Sequence, residues 1–260
     1  MSRFSSNTSA HHLHQILQLV HSQPPVHASV IWQSVLGSDR GTAGFARKHA
    51  ELVALLADTI NDIQALPSQQ RDRVMRYVPG WWNALVLPEH NWNADSSSSH
   101  VINQQSLDML AATADLIAGN YSGTAAAPSG NNLDELRNQC EEWLILLRET
   151  PGSAVSENLT EALIAQVSHV IWLIENADMF GGARVASEAN SIVGGLAQAG
   201  LTIPSNQPEQ QGRWQKAVYG LVVALTLFTT GSEMATNAVE AGNGLVKEIA
   251  QTVQAVHQSE

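Results

Sequence analysis

The chain lacks the cysteines needed for an internal disulfide, because Cys140 is the only cysteine among its 260 residues. A single cysteine cannot form an intrachain bridge, which fits a reducing compartment. The first residues, MSRFSSNTSAHHLH, also lack the apolar core of a secretory signal. We therefore expect a cytoplasmic protein.

Charge is scarce, and basic charge especially so. Charged residues make up 14% of the chain, and 24 acidic against 13 basic residues give a net charge of −11. The densest basic stretch, 71–76, is interrupted by Asp72. Because a phosphate backbone requires clustered Lys and Arg, we expect no direct nucleic-acid binding. An acidic surface with few charges is compatible with a basic protein partner or with a homo-oligomer.

Strand patterns are also missing. No stretch alternates apolar and polar residues for long, and the one Asn-Gly pair lies inside a helical pattern. Apolar residues instead recur at three- and four-residue steps. The fold class predicted is all-α, a multi-helix bundle of about nine to eleven helices. The clearest helical segments are 47–65, 103–118, 132–149, 157–177 and 232–257.

A segment rich in Gly, Ser and Ala divides the chain near its middle. It predicts an N-terminal helical subdomain over 1–120, a loop or linker over 121–131 and a C-terminal helical subdomain over 132–260. One continuous bundle is the alternative. Asn132 and Glu135 have the spacing of a capping box at the start of the next helix.

One uncharged run, 217–232, is rich in apolar residues. It is shorter than the roughly 20 apolar residues that a membrane-spanning helix needs. It predicts one buried helix of an apolar hairpin over 214–257, whose small residues allow close packing. A subunit interface and a membrane-inserting hairpin are the alternatives.

Known catalytic and phosphate-binding motifs are absent. The chain contains neither G-x-S-x-G nor a phosphate-binding glycine loop. Cys140 lies on an apolar helix stripe and is predicted to be core. The pairs Gly181-Gly182 and Gly194-Gly195 are predicted to be helix breaks or close contacts.

Carboxylates and histidines form helical stripes. Glu51, Asp58 and Asp62 share one face and are predicted to be solvated, as are the N-terminal histidines His11, His12, His14 and His21. No stripe matches a metal-ligand pattern, so we predict no metal and no cofactor. The first place to look for a buried catalytic site is the set Glu157, Glu161, His169, Glu175 and Asp178.

The chain has seven tryptophans, three of them within VPGWWNALVLPEHNWN, residues 78–93. Trp81 and Trp82 point about 100° apart on a helix, so one of them is predicted to be buried. Trp82, Trp92 and a half-buried Trp214 are the candidate interaction residues. Apolar helix positions predict that the remaining tryptophans, Trp32, Trp143 and Trp172, are core.

These patterns favour a non-catalytic protein that acts through protein–protein interaction: a scaffold, an inhibitor or immunity-like factor, or a subunit of an assembly. One alternative is a metal- or carboxylate-dependent hydrolase built on a helical bundle. The other is a membrane-active effector that inserts the hairpin 214–257.

Overall fold

The computed structural model describes residues 7–24, 26–86, 95–96, 101–129 and 132–231. Turns and loops join the helices that make up most of this part of the chain, and its named strands are one two-residue pair, which confirms the predicted all-α bundle. It forms two compact units. The first contains the described residues up to Ser122 together with Ala177–Arg184, and the second contains the described residues of Gly123–Asn176 and those of 185–231.

The first unit is built mainly from six helices. They are α1 (Ser9–His21), α2 (Ala28–Leu36), α3 (Ala43–Ala65), α4 (Ser68–Val74), α5 (Val78–Val86) and α6 (Gln104–Tyr121). A 3₁₀ turn, Met75–Tyr77, links α4 to α5, and strands β1 (Val26–His27) and β2 (Asp95–Ser96) pair antiparallel.

Helix α1 is central to this unit, because it packs against both α3 and α6. Its stripe of Leu13, Leu17 and Val20 is fully buried. Three helices begin at a capping side chain that accepts a backbone N–H, which satisfies a donor left free in the first turn. The capping residues are Thr8 for α1, Thr42 for α3 and Asn103 for α6.

The second unit contains four helices. They are α7 (Leu133–Glu149), α8 (Glu157–Glu175), α9 (Ala177–Gly200, of which the part from Val185 belongs here) and α10 (Pro208–Thr230). Helix α7 packs against α8 and α10. The rings of Trp143 on α7 and Trp214 on α10 meet edge to face with centroids 5.0 Å apart, an arrangement that suits the aromatic quadrupole.

Some residues have the burial or contacts that the sequence predicts, and others do not. Trp143 and Cys140 are buried as predicted, and Trp32 is buried in the first unit. Trp172 is only half-buried, so its assignment to the core is wrong. The capping box is also wrong, since the Asn132 side chain makes no capping hydrogen bond.

Most of the uncharged run 217–232 belongs to α10, which buries one stripe rather than its whole circumference. The stripe contains Val218, Leu221, Ala224, Leu225 and Phe228. Among the described residues, no helix has the length and apolar character to cross a membrane. The second half of the predicted hairpin, 232–257, lies outside the described residues.

Helix α9 contains a break at Gly181, whose φ of 82° and ψ of 162° are accessible to glycine but not to side-chain-bearing residues at low energy. A Cβ at this position would collide with the imidazole of His12. The break predicted at Gly181-Gly182 is therefore confirmed. The pair Gly194-Gly195 lies within the regular part of α9, so a break there is wrong. The alternative of a close contact fits Gly195, because a Cβ there would lie 3.6 Å from Leu163 Cδ2.

We expect Gly181→Ala to lower the free energy of unfolding by about 1–3 kcal/mol, because alanine does not tolerate this backbone conformation. Gly194→Ala is the matched control, since Gly194 is helical and a Cβ there would meet nothing within 4 Å. The control should gain up to about 1 kcal/mol from reduced backbone entropy in the unfolded chain. Urea denaturation measures both, and equal effects of the two substitutions would contradict the break.

Candidate functional site

The sequence-predicted catalytic set does not form a buried site. Glu157, Glu161, Glu175 and Asp178 are exposed, and His169 is half-buried. The prediction that these side chains are buried is wrong. The physical reason is that the buried face of α8 is filled by aliphatic residues, which leaves its carboxylates on the opposite side.

The members of this set on α8 have separate neighbours. Glu175 Oε1 accepts a hydrogen bond from Arg137 Nη2 at 3.1 Å, and the His169 ring stacks on Trp172. Glu157 and Glu161 line one open pocket. In the part of the chain that the structure describes, no group of three or more His, Cys, Asp or Glu side chains is arranged to hold a metal. A catalytic role for the set stays a prediction.

Buried charge occurs instead in the first unit, at the start of α9. Arg184 donates from Nε to Glu51 Oε2 of α3 at 2.9 Å, and its Nη1 lies 3.6 Å from Asp58 Oδ2. Arg184 and Glu51 are 8% and 6% exposed, so solvent screens this pair only weakly. The predicted solvation of the Glu51 face is therefore wrong, and we call Arg184, Glu51, Asp58 and Asp62 the buried charge cluster.

Asp62 continues the carboxylate face one turn beyond Asp58. Burial and the neighbouring charge of Asp58 raise the pKa of Asp62 to about 7. Both causes disfavour the ionised carboxylate, because low dielectric and a like charge each oppose a second negative charge. The cluster therefore changes its net charge near neutral pH.

His12 and Asn7 hold the segment that carries Arg184. Gly182 N–H donates to Asn7 Oδ1 at 2.8 Å, and Ala183 N–H donates to the Asn7 carbonyl at 3.2 Å. The His12 ring lies against Gly181. Burial and the nearby His11 charge lower the pKa of His12 to about 4, although a hydrogen bond to the Met179 backbone and the charge of Asp178 act in the opposite direction. The predicted solvation of His12 is wrong.

A hydroxyl, an imidazole and a carboxylate also meet at the start of α1. Thr8 Oγ1 lies 3.0 Å from His11 Nδ1, and His11 Nε2 lies 3.3 Å from Asp115 Oδ1. These are the partners of a nucleophile triad. Thr8 is fully buried, however, and its oxygen accepts the His11 backbone N–H as the cap of α1. The hydroxyl is thus a helix cap that substrate cannot reach.

The candidate interaction tryptophans differ in exposure. Trp81 is fully buried and donates its indole N–H to the Ser106 carbonyl at 2.9 Å, whereas Trp82 is 43% exposed. The prediction that one of the two is buried is confirmed. Trp214 is 2% exposed and donates to the Leu196 carbonyl at 2.8 Å, so its predicted half-burial is wrong. Trp92 lies outside the described residues.

A pocket of about 550 Å³ lies in the second unit at the turn between α7 and α8. Its apolar lining residues are Ile164, which is half-buried, and Leu147 and Val155, which are buried. Its polar residues come from both helices and the turn, and they are Arg148, Thr150, Glu157, Asn158, Thr160 and Glu161. The pocket therefore joins an aliphatic surface to charges of both signs.

Comparison with known proteins identifies no match for this chain. The chain matches no family model, no curated protein and no solved structure. Function must be argued from the geometry of the chain itself.

We expect Arg184→Met to lower the free energy of unfolding by about 3–5 kcal/mol, because it leaves the Glu51 carboxylate buried without its cation. Arg137→Met is the control, since Arg137 forms exposed pairs with Glu141 and Glu175. Solvent screens exposed pairs, so this substitution should lower the free energy of unfolding far less. Chemical denaturation of the two variants measures the difference. Similar losses for both would show that the Arg184 pair is not desolvated in solution.

We expect Asp62→Asn to stabilise the protein increasingly between pH 4 and pH 7, the interval between the ordinary and raised pKa of Asp62. Below about pH 4 Asp62 is protonated in both folded and unfolded chains. As pH rises, the unfolded chain loses this proton first, and stability falls by up to about 1.4 kcal/mol per pH unit until pH 7. Asparagine removes that loss.

The free energy of unfolding across this pH range, compared with wild type, tests the prediction. Asp39→Asn is the control, because Asp39 is exposed in the turn before α3. A constant difference between Asp62→Asn and wild type from pH 4 to pH 8 would contradict the raised pKa.

Proposed function

We propose that this chain is a non-catalytic cytoplasmic protein that acts by binding another protein, with Trp82 as an anchor of the contact. The observation that carries the proposal is a large aromatic ring, 43% exposed, on a helix whose adjacent tryptophan is locked in the core. Tryptophan is enriched among residues that dominate binding energy at interfaces. A partly exposed indole leaves apolar surface that a partner can remove from water.

The contacts that hold helix α5 in place favour this role for Trp82. Trp81 fixes one face of the helix through its hydrogen bond to Ser106, and His49 Nε2 lies 2.9 Å from the Leu85 carbonyl. An anchor on a fixed helix loses little conformational entropy when it binds. Within the described residues of the first unit, Leu19 and Val30 are further large apolar residues that are exposed.

Charge favours a basic partner. The chain carries a net charge of −11, so long-range attraction would speed its encounter with a positively charged protein and oppose self-association. Screening by salt should then weaken the encounter. The partner we propose is accordingly a different, basic protein rather than a second copy of this chain.

The test is affinity capture of the full chain from its native host with quantitative mass spectrometry of the retained proteins. We expect a basic protein in stoichiometric amount, reduced at least tenfold by Trp82→Ala because interface anchors contribute about 2 kcal/mol or more. Ile145→Ala is the matched control, since Ile145 is a helical apolar residue, 56% exposed, in the second unit. It should retain the partner.

Light scattering measures the oligomeric state of the purified chain. Salt washes of the captured complex test the electrostatic attraction. A partner that survives Trp82→Ala overturns the anchor. A wild-type chain that retains no stoichiometric protein, or that forms a homo-oligomer disrupted by Trp82→Ala, overturns the proposed partner. Release of the partner by moderate salt supports the proposed electrostatic attraction.

A further inference from the structure

The pocket at the α7–α8 turn has the size of a small-molecule site. Its volume of about 550 Å³ falls within the usual range of roughly 300–1,000 Å³ for ligand pockets. Leu147 and Val155 are buried beneath it and fix the apolar part of its wall. The shape is thus set by residues that belong to the core of the second unit.

Charges of opposite sign line this pocket. Arg148 comes from α7, whereas Glu157 and Glu161 come from the first turns of α8. Among the described residues, none of these three side chains forms an ion pair. Their charges are therefore available to a ligand.

We propose that this pocket binds a small zwitterion with an aliphatic side chain, of the class of free amino acids and dipeptides. The ammonium group pairs with Glu161 and Glu157, the carboxylate pairs with Arg148, and the aliphatic part covers Ile164. A purely anionic ligand would face two carboxylates, and a purely cationic one would face Arg148. Only a molecule with both charges satisfies both sides of the pocket.

Titration of the full-length protein with the dipeptide Leu-Leu, followed by amide NMR, tests the proposal. The Gly152 amide at the pocket edge is a convenient reporter, because Gly152 belongs to the lining. We expect saturable shifts at millimolar dipeptide. N-acetyl-Leu-Leu and Leu-Leu-amide, each lacking one charge, should bind about tenfold more weakly.

Variants separate this pocket from unspecific binding. Arg148→Gln and Glu161→Gln should each weaken Leu-Leu about tenfold. Lys216→Gln and Glu142→Gln, which change exposed charges outside the pocket lining, should leave binding unchanged.

The opposite results overturn the proposal. Unsaturable or absent shifts with Leu-Leu show that the pocket does not take a zwitterion. Equal affinity for the capped dipeptides shows that the charges do not select the ligand. Weakening by the control variants to the same degree as by the pocket variants assigns the shifts to the general surface charge.

Discussion

The buried guanidinium of Arg184 is the charge on which the first unit depends. A cation removed from water costs several kcal/mol, so it persists only where carboxylates neutralise it. Glu51 and Asp58 meet this requirement from one face of α3, and Glu51 does so at hydrogen-bond distance. The rotation of α3 and the position of Ala177–Arg184 are consequently coupled. The Gly181 break and the Asn7 contacts complete the coupling, because they let the segment lie against α1.

The carboxylates of the buried charge cluster respond differently to the low dielectric around them. Glu51 and Asp58 pair with Arg184, while burial and Asp58 raise the pKa of Asp62 to about 7. His12 shows the converse response, since burial lowers its pKa to about 4 and keeps the imidazole neutral. Between about pH 4 and pH 6.5 the two groups oppose each other: falling pH destabilises the unit through His12, whereas rising pH destabilises it through Asp62. Both side chains stay neutral in the folded unit over this interval.

Local patterns predicted the helices well, because a buried stripe repeats every three or four residues whatever it packs against. The same stripe could have identified Trp214, which precedes Val218 and Leu221 at helical spacing; the polar residues beside it in sequence face other directions. The ion pair of Arg184 has no such local pattern. Arg184 lies 133 residues from Glu51, and the local sequence does not distinguish a carboxylate that pairs with a distant cation from one that is solvated. The charged cluster was therefore beyond prediction, although its carboxylate face was visible.

The two proposed binding surfaces differ in chemistry because helix packing leaves an apolar residue exposed in one unit and charged residues exposed in the other. Trp82 is exposed because Trp81 already fills the core position on α5, so the second indole has no place inside the unit. The α7–α8 pocket is polar because the buried aliphatic residues of α8 begin only at Leu163. The turns of α8 before Leu163 carry Glu157 and Glu161 instead. The exposed apolar surface of Trp82 suits a protein partner, whereas a pocket with unpaired charges of both signs suits a small zwitterion. The two surfaces can therefore serve different ligands without competing for the same residues.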